Sequence, residues 1–260
     1  MKLLLKIVGG FLLLIVALVV WMAIVMSPTI PEDTFDLQPA DAVGGLNVMV
    51  FGATGNLGRE VVADLVEQGD KVTAFVRSTS DRSALEPLGV EFVVGDAMEL
   101  DTIVAAFEQG EYDAAIATIG SFRAEIPPDY VGNANIADAA KATGVKRMIL
   151  ISTVGAGDSY DAAPLPSRIV LSKILPLKTQ AEDHLKASGL DYTIIRPGGL
   201  PYTTNSTGRG FLSEDRSTMG FILRADLARL IIGVLHDSRT IGKTFAAVDP
   251  ELSYPGDTGE

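Results

Sequence analysis

The stretch Gly52-Ala53-Thr54-Gly55-Asn56-Leu57-Gly58 constrains this chain more than any other, because its glycines fall between a strand-like run and a helical one. Leu46 to Phe51 is apolar at nearly every position, whereas Leu57 to Gln68 repeats its apolar residues with a helical period. Gly52 and Gly55 permit a tight turn and let the backbone approach a pyrophosphate, while Gly58 lets the helix pack closely on the sheet. The first N–H groups of such a helix lack intrahelical partners and carry partial positive charge, which suits phosphate. All seven positions are therefore expected to form a dinucleotide-binding turn. The alternative is a strand-to-helix turn that holds no ligand.

The alternation continues beyond the turn. Strands are expected at Lys71–Val76, Val90–Val94, Asp113–Thr118, Arg147–Ile151, Tyr192–Ile195 and Thr244–Val248. Helices are expected at Leu100–Glu108, Asn133–Ala142, Leu177–Ala187 and Ala225–Leu235. Val48–Phe51 and Met148–Ile151 are uninterrupted apolar runs, as in parallel strands covered on both faces. Right-handed crossovers then give an α/β fold with a doubly wound parallel sheet, a Rossmann fold, over residues 46–250, followed by a tail at 251–260. Gly155 to Pro176, rich in Gly, Ala, Pro and Ser, reads as a loop, either a lid near the site or a plain surface excursion.

Ahead of this domain, Ile7 to Met26 carries no charge and no proline. About 20 apolar residues match a hydrocarbon core of roughly 30 Å, so residues 1–26 are expected to be a single transmembrane anchor; a cleaved signal peptide is the competing reading. Residues 27–45, with prolines at 28, 31 and 39, read as an extended linker. Lys2 and Lys6 before the span point the domain outward, whereas a soluble nicotinamide cofactor favours the cytoplasm, which is the side preferred here. A net charge of −12 without a basic cluster excludes a nucleic-acid partner. The absence of cysteine excludes thiolate chemistry and disulfides. His184 and His236 stand apart from other ligand types, so they are expected on the surface and no metal site is expected.

At the end of the second strand, where an NAD site presents an acid to the ribose, Arg77-Ser78 stand instead. A guanidinium pairs with a 2′-phosphate through two hydrogen bonds, so NADP(H) is favoured over NAD(H), with Arg82 as a possible helper. A solvated strand end is the alternative for Arg77.

Gly52–Gly58, Gly95-Asp96, Gly144-Val145-Lys146-Arg147, Lys178 to Glu182 and Ser188 to Thr193 leading into Arg196-Pro197-Gly198 together resemble the atypical short-chain dehydrogenase/reductase family. The likeness is to its NAD(P)H-binding, flavin-reductase-like and biliverdin-reductase-B-like branch, and it spans Leu46 to Val248. The resemblance implies that Asp96 and Ala97 lie beside the adenine and that Thr118, Ile119 and Gly120 line the ribose and diphosphate path. It also implies that Ser152 and Thr153 lie beneath the nicotinamide, and that Pro197, Gly198, Gly199 and Leu200 close over its carboxamide.

Reductases of this kind commonly set a tyrosine four residues before a lysine. Lys178 has Ile174 there and Lys173 has Ile169, so the usual proton donor is missing. Lys178 is left to the ribose hydroxyls, and Thr153, Tyr160 and Tyr202 are the substitutes available; Thr153 and Lys178 are the catalytic candidates. Two functions follow: a membrane-anchored NADPH-dependent reductase of a hydrophobic or cofactor-like acceptor, or a non-catalytic, NADP-loaded accessory or assembly subunit of a membrane complex.

Overall fold

Alternate residues of a strand face opposite sides of its sheet, so Val48 and Val50 must enter one core and Met49 and Phe51 another. The computed structural model describes residues 2–38, 44–121, 124–202 and 206–252, with side chains from Phe11 onward except Leu12 and Ala23. The strands are β1 (Asn47–Phe51), β2 (Lys71–Val76), β3 (Glu91–Val94), β4 (Ala114–Ala117), β5 (Arg147–Ile151), β6 (Asp191–Pro197), β7 (Phe211–Ser213) and β8 (Lys243–Val248). They form one sheet in the order β3-β2-β1-β4-β5-β6-β8-β7, parallel except for β7, with the order reversing between β1 and β4.

The helices are α1 (Lys2–Val25), α2 (Asn56–Glu67), α3 (Leu100–Phe107), α4 (Val131–Thr143), α5 (Leu165–Val170), α6 (Leu175–Ser188) and α7 (Arg224–His236). On one face Val48 and Val50 pack with Val61, Val62 and Leu65 of α2 and with Leu227 and Ile231 of α7. On the other, Met49 and Phe51 pack with Ile103 and Phe107 of α3, Ile136 of α4 and Leu185 of α6. Each such side chain removed from water contributes about 1.5–3 kcal/mol, and these two layers hold the sheet edge that carries the site.

Several elements depart from the expectation. The linker is extended but docked: Thr29 bridges Met219 and Phe35 bridges Leu212, each with an N···O distance of 2.7 Å. The Phe35 ring lies 4.9 Å from that of Phe245, with the Lys243 ammonium 4.8 Å from its centroid. Leu37 fills the notch at Gly233, and the Gln38 N–H donates to Asp237, whose carboxyl Arg239 holds down at about 2. Residues 39–43 of the expected linker lie outside the described residues, as do 253–260 of the tail. The stretch 155–176 is not irregular, since it holds a 3-10 turn (Gly157–Ala162), α5 and the first residues of α6. His236 is nearly covered and faces Asp70 at 3.3 Å, rather than lying on the surface. The side chain of His184 is partly exposed, 2.8 Å from Asp138.

Among the described residues no helix is long and apolar enough to cross a membrane. The expected span from Ile7 to Met26 falls within α1 almost throughout, but positions 7–10, 12 and 23 lie outside the described side chains. Most of those described are exposed, Phe11 at 66% and Leu13 at 72%, whereas Met22, Val25 and Met26 are partly covered.

Candidate dinucleotide-binding site

Gly52 adopts a left-handed backbone (φ +81°), and a Cβ there would meet the Thr118 hydroxyl at 2.6 Å. That hydroxyl donates to the Phe51 carbonyl at 2.9 Å, locking the ends of β1 and β4 together. Gly55 caps α2 in an extended conformation, and no side chain accepts from the first-turn amides. Gly58 packs so tightly that a Cβ would stand 2.2 Å from the Gly52 carbonyl oxygen. The turn is thus compact, with the mouth of α2 open toward a cleft of about 560 Å³.

The cleft sits where the strand order reverses, the place an open α/β sheet offers to ligands. Gly52, Thr54 and Gly55 form its floor, Arg77 stands at the end of β2, Asp96 and Ala97 follow β3, and Thr118, Ile119 and Gly120 follow β4. Ala53 is fully buried and Leu57 packs toward the α2–α7 core, so these two shape the turn from beneath. Asn56 opens the first turn of α2. Asp96 also accepts from the Met98 N–H at 2.9 Å, so it caps the turn that it contributes to the cleft.

Three differences concern the phosphate end. Ser80 lines the cleft and Ser78 does not. Arg82 stacks on Phe92 at 5.4 Å, which turns it away from the helper role. Arg59, passed over in the sequence, donates from Nε to the Thr54 carbonyl at 2.9 Å; nearby Asp81 is held below the usual carboxylate range chiefly by the Ser83 hydrogen bonds, with a smaller pull from Arg59. Its signal was a cation directly after the last glycine.

The residues assigned to the nicotinamide end are engaged elsewhere. Lys178 is buried, and its ammonium meets the Ile119 carbonyl at 3.2 Å, the Ile151 carbonyl at 3.0 Å and Asp129 at 3.3 Å. Three donors meet three acceptors, so none is spare. Burial pulls its pKa below the ordinary range, opposed by Asp129. A Cβ at Gly120 would lie 2.7 Å from Asp129 and 3.1 Å from the Lys178 nitrogen, so the pair fits only beside a glycine.

The Ser152 hydroxyl donates to Glu182 at 2.5 Å, and Glu182 also receives Arg196 at 3.0 and 2.6 Å. Arg196 reaches Asp158 at 2.6 Å, tying the 3-10 turn after β5 to the sheet. Ser152 therefore belongs to a buried ionic network rather than to the cleft. The Thr153 hydroxyl has the Val154 carbonyl at 3.3 Å. Pro197 ends β6, the Gly198 N–H donates to Ala247, and Gly199 pairs with the segment at Phe221; none of the stretch from Pro197 to Leu200 lines the described cleft.

Residues 52–238 match a family model described as NAD(P)H-binding, from the glycine turn to just past α7. The chain belongs to that NAD(P)H-binding family. Within it, the chain is 32% identical over 209 residues to the uncharacterized sugar epimerase YhfK of Bacillus subtilis (strain 168), covering 77% of this chain and 92% of that one. A photosystem II assembly factor, Ycf39 of Synechocystis sp., is 29% identical over 157 residues, 60% of this chain and 45% of that protein. Among solved structures, ChuY, described as an anaerobilin reductase from Escherichia coli O157:H7, superposes with a TM-score of 0.73 at 28% identity, covering 80% of this chain and 98% of that one. This family member thus has an NAD(P)H-binding Rossmann domain of the epimerase and reductase kind.

Proposed function

We propose that the protein is an NADPH-dependent reductase whose acceptor is apolar or cofactor-like, and that α1 holds it to a membrane. The observation that carries this is the open mouth of α2 above the reversal cleft, with Arg77 lining the cleft and Arg59 held behind the turn on the Thr54 carbonyl. A 2′-phosphate placed there finds charge-assisted donors, which is the reason for preferring NADP(H) to NAD(H). Similarity to a reductase structure supports the reaction class. The cofactor, when bound, supplies a hydride; the acceptor gains that hydride and one proton, and NADP⁺ is left. With Ile174 where a tyrosine would donate and Lys178 occupied, the proton comes from water. Lys178 is then a positioning residue that fixes the ends of β4 and β5. The uncharged run from Ile7 to Met26, largely within α1, is the support for anchoring, and the cofactor is the reason for placing the domain on the cytoplasmic side.

The test is to mix the purified protein with NADPH and a panel of quinones, flavins and carbonyl compounds and follow NADPH absorbance. Oxidation with at least one class is expected, and silence across the panel sinks the reading. Arg77→Ala is expected to weaken NADP(H) about tenfold, the value of one charge-assisted contact, while NAD(H) affinity stays put. The second reading, a nucleotide-loaded assembly subunit, is favoured by the occupied Lys178 and by the partial likeness to an assembly factor. Recovery of the native protein from mild detergent only as a free monomer counts against it.

A further inference from the structure

The large apolar side chains that remain exposed are unevenly placed. Among the described residues outside α1, those at least half exposed are Ile126 after β4, Tyr160, Leu165, Ile169 and Val170 after β5, and Tyr202 after β6, besides Val94, which ends β3. All stand at the carboxyl edge of the sheet, the edge that carries the cleft. Ile169 and Val170 on α5 are 66% and 72% exposed, and Tyr202 is 85% exposed.

The root of α1 lies at the same edge. Thr29 bridges Met219, and Met26 packs against Phe221 and Leu223. Phe221 in turn bridges Gly199 after β6 and Asp249 after β8, and its ring would be 2.5 Å from a Cβ at Gly199. An apolar helix therefore leaves the domain beside its most apolar rim, and the docked stretch 29–38 allows little slack between them. Monomers seldom expose contiguous apolar surface without a partner for it.

We propose that this carboxyl edge, with α5 foremost, rests on the lipid bilayer that holds α1, so that the acceptor passes from the acyl phase to the cleft without crossing water. The bilayer face stands on the rim and the root of α1; the identity of the acceptor, a lipid-dissolved molecule such as a tailed quinone, rests on the reductase reading above. With a chain charge of −12, attachment is driven by apolar area rather than by anionic headgroups.

The absence of cysteine permits single labels. Ile169→Cys on α5 and Ile241→Cys, at the amino end of β8 on the opposite edge, are each given a nitroxide in the full chain in phosphatidylcholine vesicles. Collision with dissolved oxygen is expected to dominate at 169 and collision with an aqueous nickel chelate at 241, unchanged by salt. Equal exposure of both labels to the chelate overturns the proposal. So does a label at 169 that neither reagent reaches but that couples to a second label, which makes the edge a contact between copies. In parallel, Ile169→Glu is expected to slow NADPH oxidation by a long-tailed quinone in the vesicles about tenfold, leaving a tail-less quinone in solution at the parent rate. Unchanged or equal effects on both quinones overturn the proposal. If the parent chain reduces neither quinone, the reductase reading fails for that acceptor and the labels alone decide the face.

Discussion

Gly58 leaves no room for a methyl group, since the Gly52 carbonyl occupies the place where one would go. Gly58→Ala must push α2 away from β1, at a cost of about 1–3 kcal/mol, and dislodge the amides proposed to meet the phosphates. A lower melting temperature together with lost NADPH binding by fluorescence titration is expected; intact affinity would show that the turn is not the phosphate site. Asp64 on α2 gives a second case. Partial burial, with Glu60 and Glu67 nearby, raises its carboxyl to about 6, against the opposing pull of Arg229. A raised acid costs stability when charged, so the penalty is absent below its unfolded value of 3.8, grows through the interval and is complete above about 6. Because the group is half-exposed, the full shift is discounted to about 1 kcal/mol. Asp64→Asn should melt higher than the parent at about pH 7.5 and equally at about pH 4, and a constant gap across that range would refute the assignment.

At the level of elements, the glycine turn was readable because its constraint is local: strand, turn and helix are adjacent in sequence. Arg77, read from the end of the second strand, and Asp96 and Thr118, implied by the family resemblance, all line the cleft where the parallel strands end. Ser152 shows where the rule of strand ends stops, because a position at a strand end does not say where a side chain points, and Lys178, on α6, was carried over from the family pattern and is held by Ile119, Ile151 and Asp129. The Glu182–Arg196–Asp158 network joins three separate segments, and no spacing announces it. The three-residue β7 is too short for a period to register, and Phe35 and Leu37 are isolated apolar residues among prolines and acids. The network carries its own expectation. Glu182→Gln leaves Arg196 buried with a neutral amide and only the half-exposed Asp158 as an ionised partner, so a loss of several kcal/mol is expected, up to the roughly 3–5 kcal/mol of a broken buried pair. Urea unfolding measures it, and a loss under about 1 kcal/mol would mean that the network is slack.

For the molecule as a whole, a ligand that binds only the folded chain raises its stability by mass action, about 2.7 kcal/mol at a hundredfold excess over Kd. At matched concentrations NADP⁺ should raise the melting temperature more than NAD⁺ does, and the reverse order would overturn the preference argued from Arg77. The fold class was legible at this scale because alternating elements leave few topologies. The approach of α1 to the cleft edge was not, since it depends on two bridges between residues 190 and 177 positions apart.

The docking of Phe35 against Phe245 also bears on how the protein is to be produced. A fragment cut at the paired glycines, the natural place to trim for expression, would begin at Leu46 and leave the aromatic ring of Phe245 and the notch at Gly233 open to solvent. One beginning at Ser27 keeps both sealed. The shorter fragment should aggregate or melt lower than the longer one, and whoever trims too far will be studying a domain with its flank unzipped.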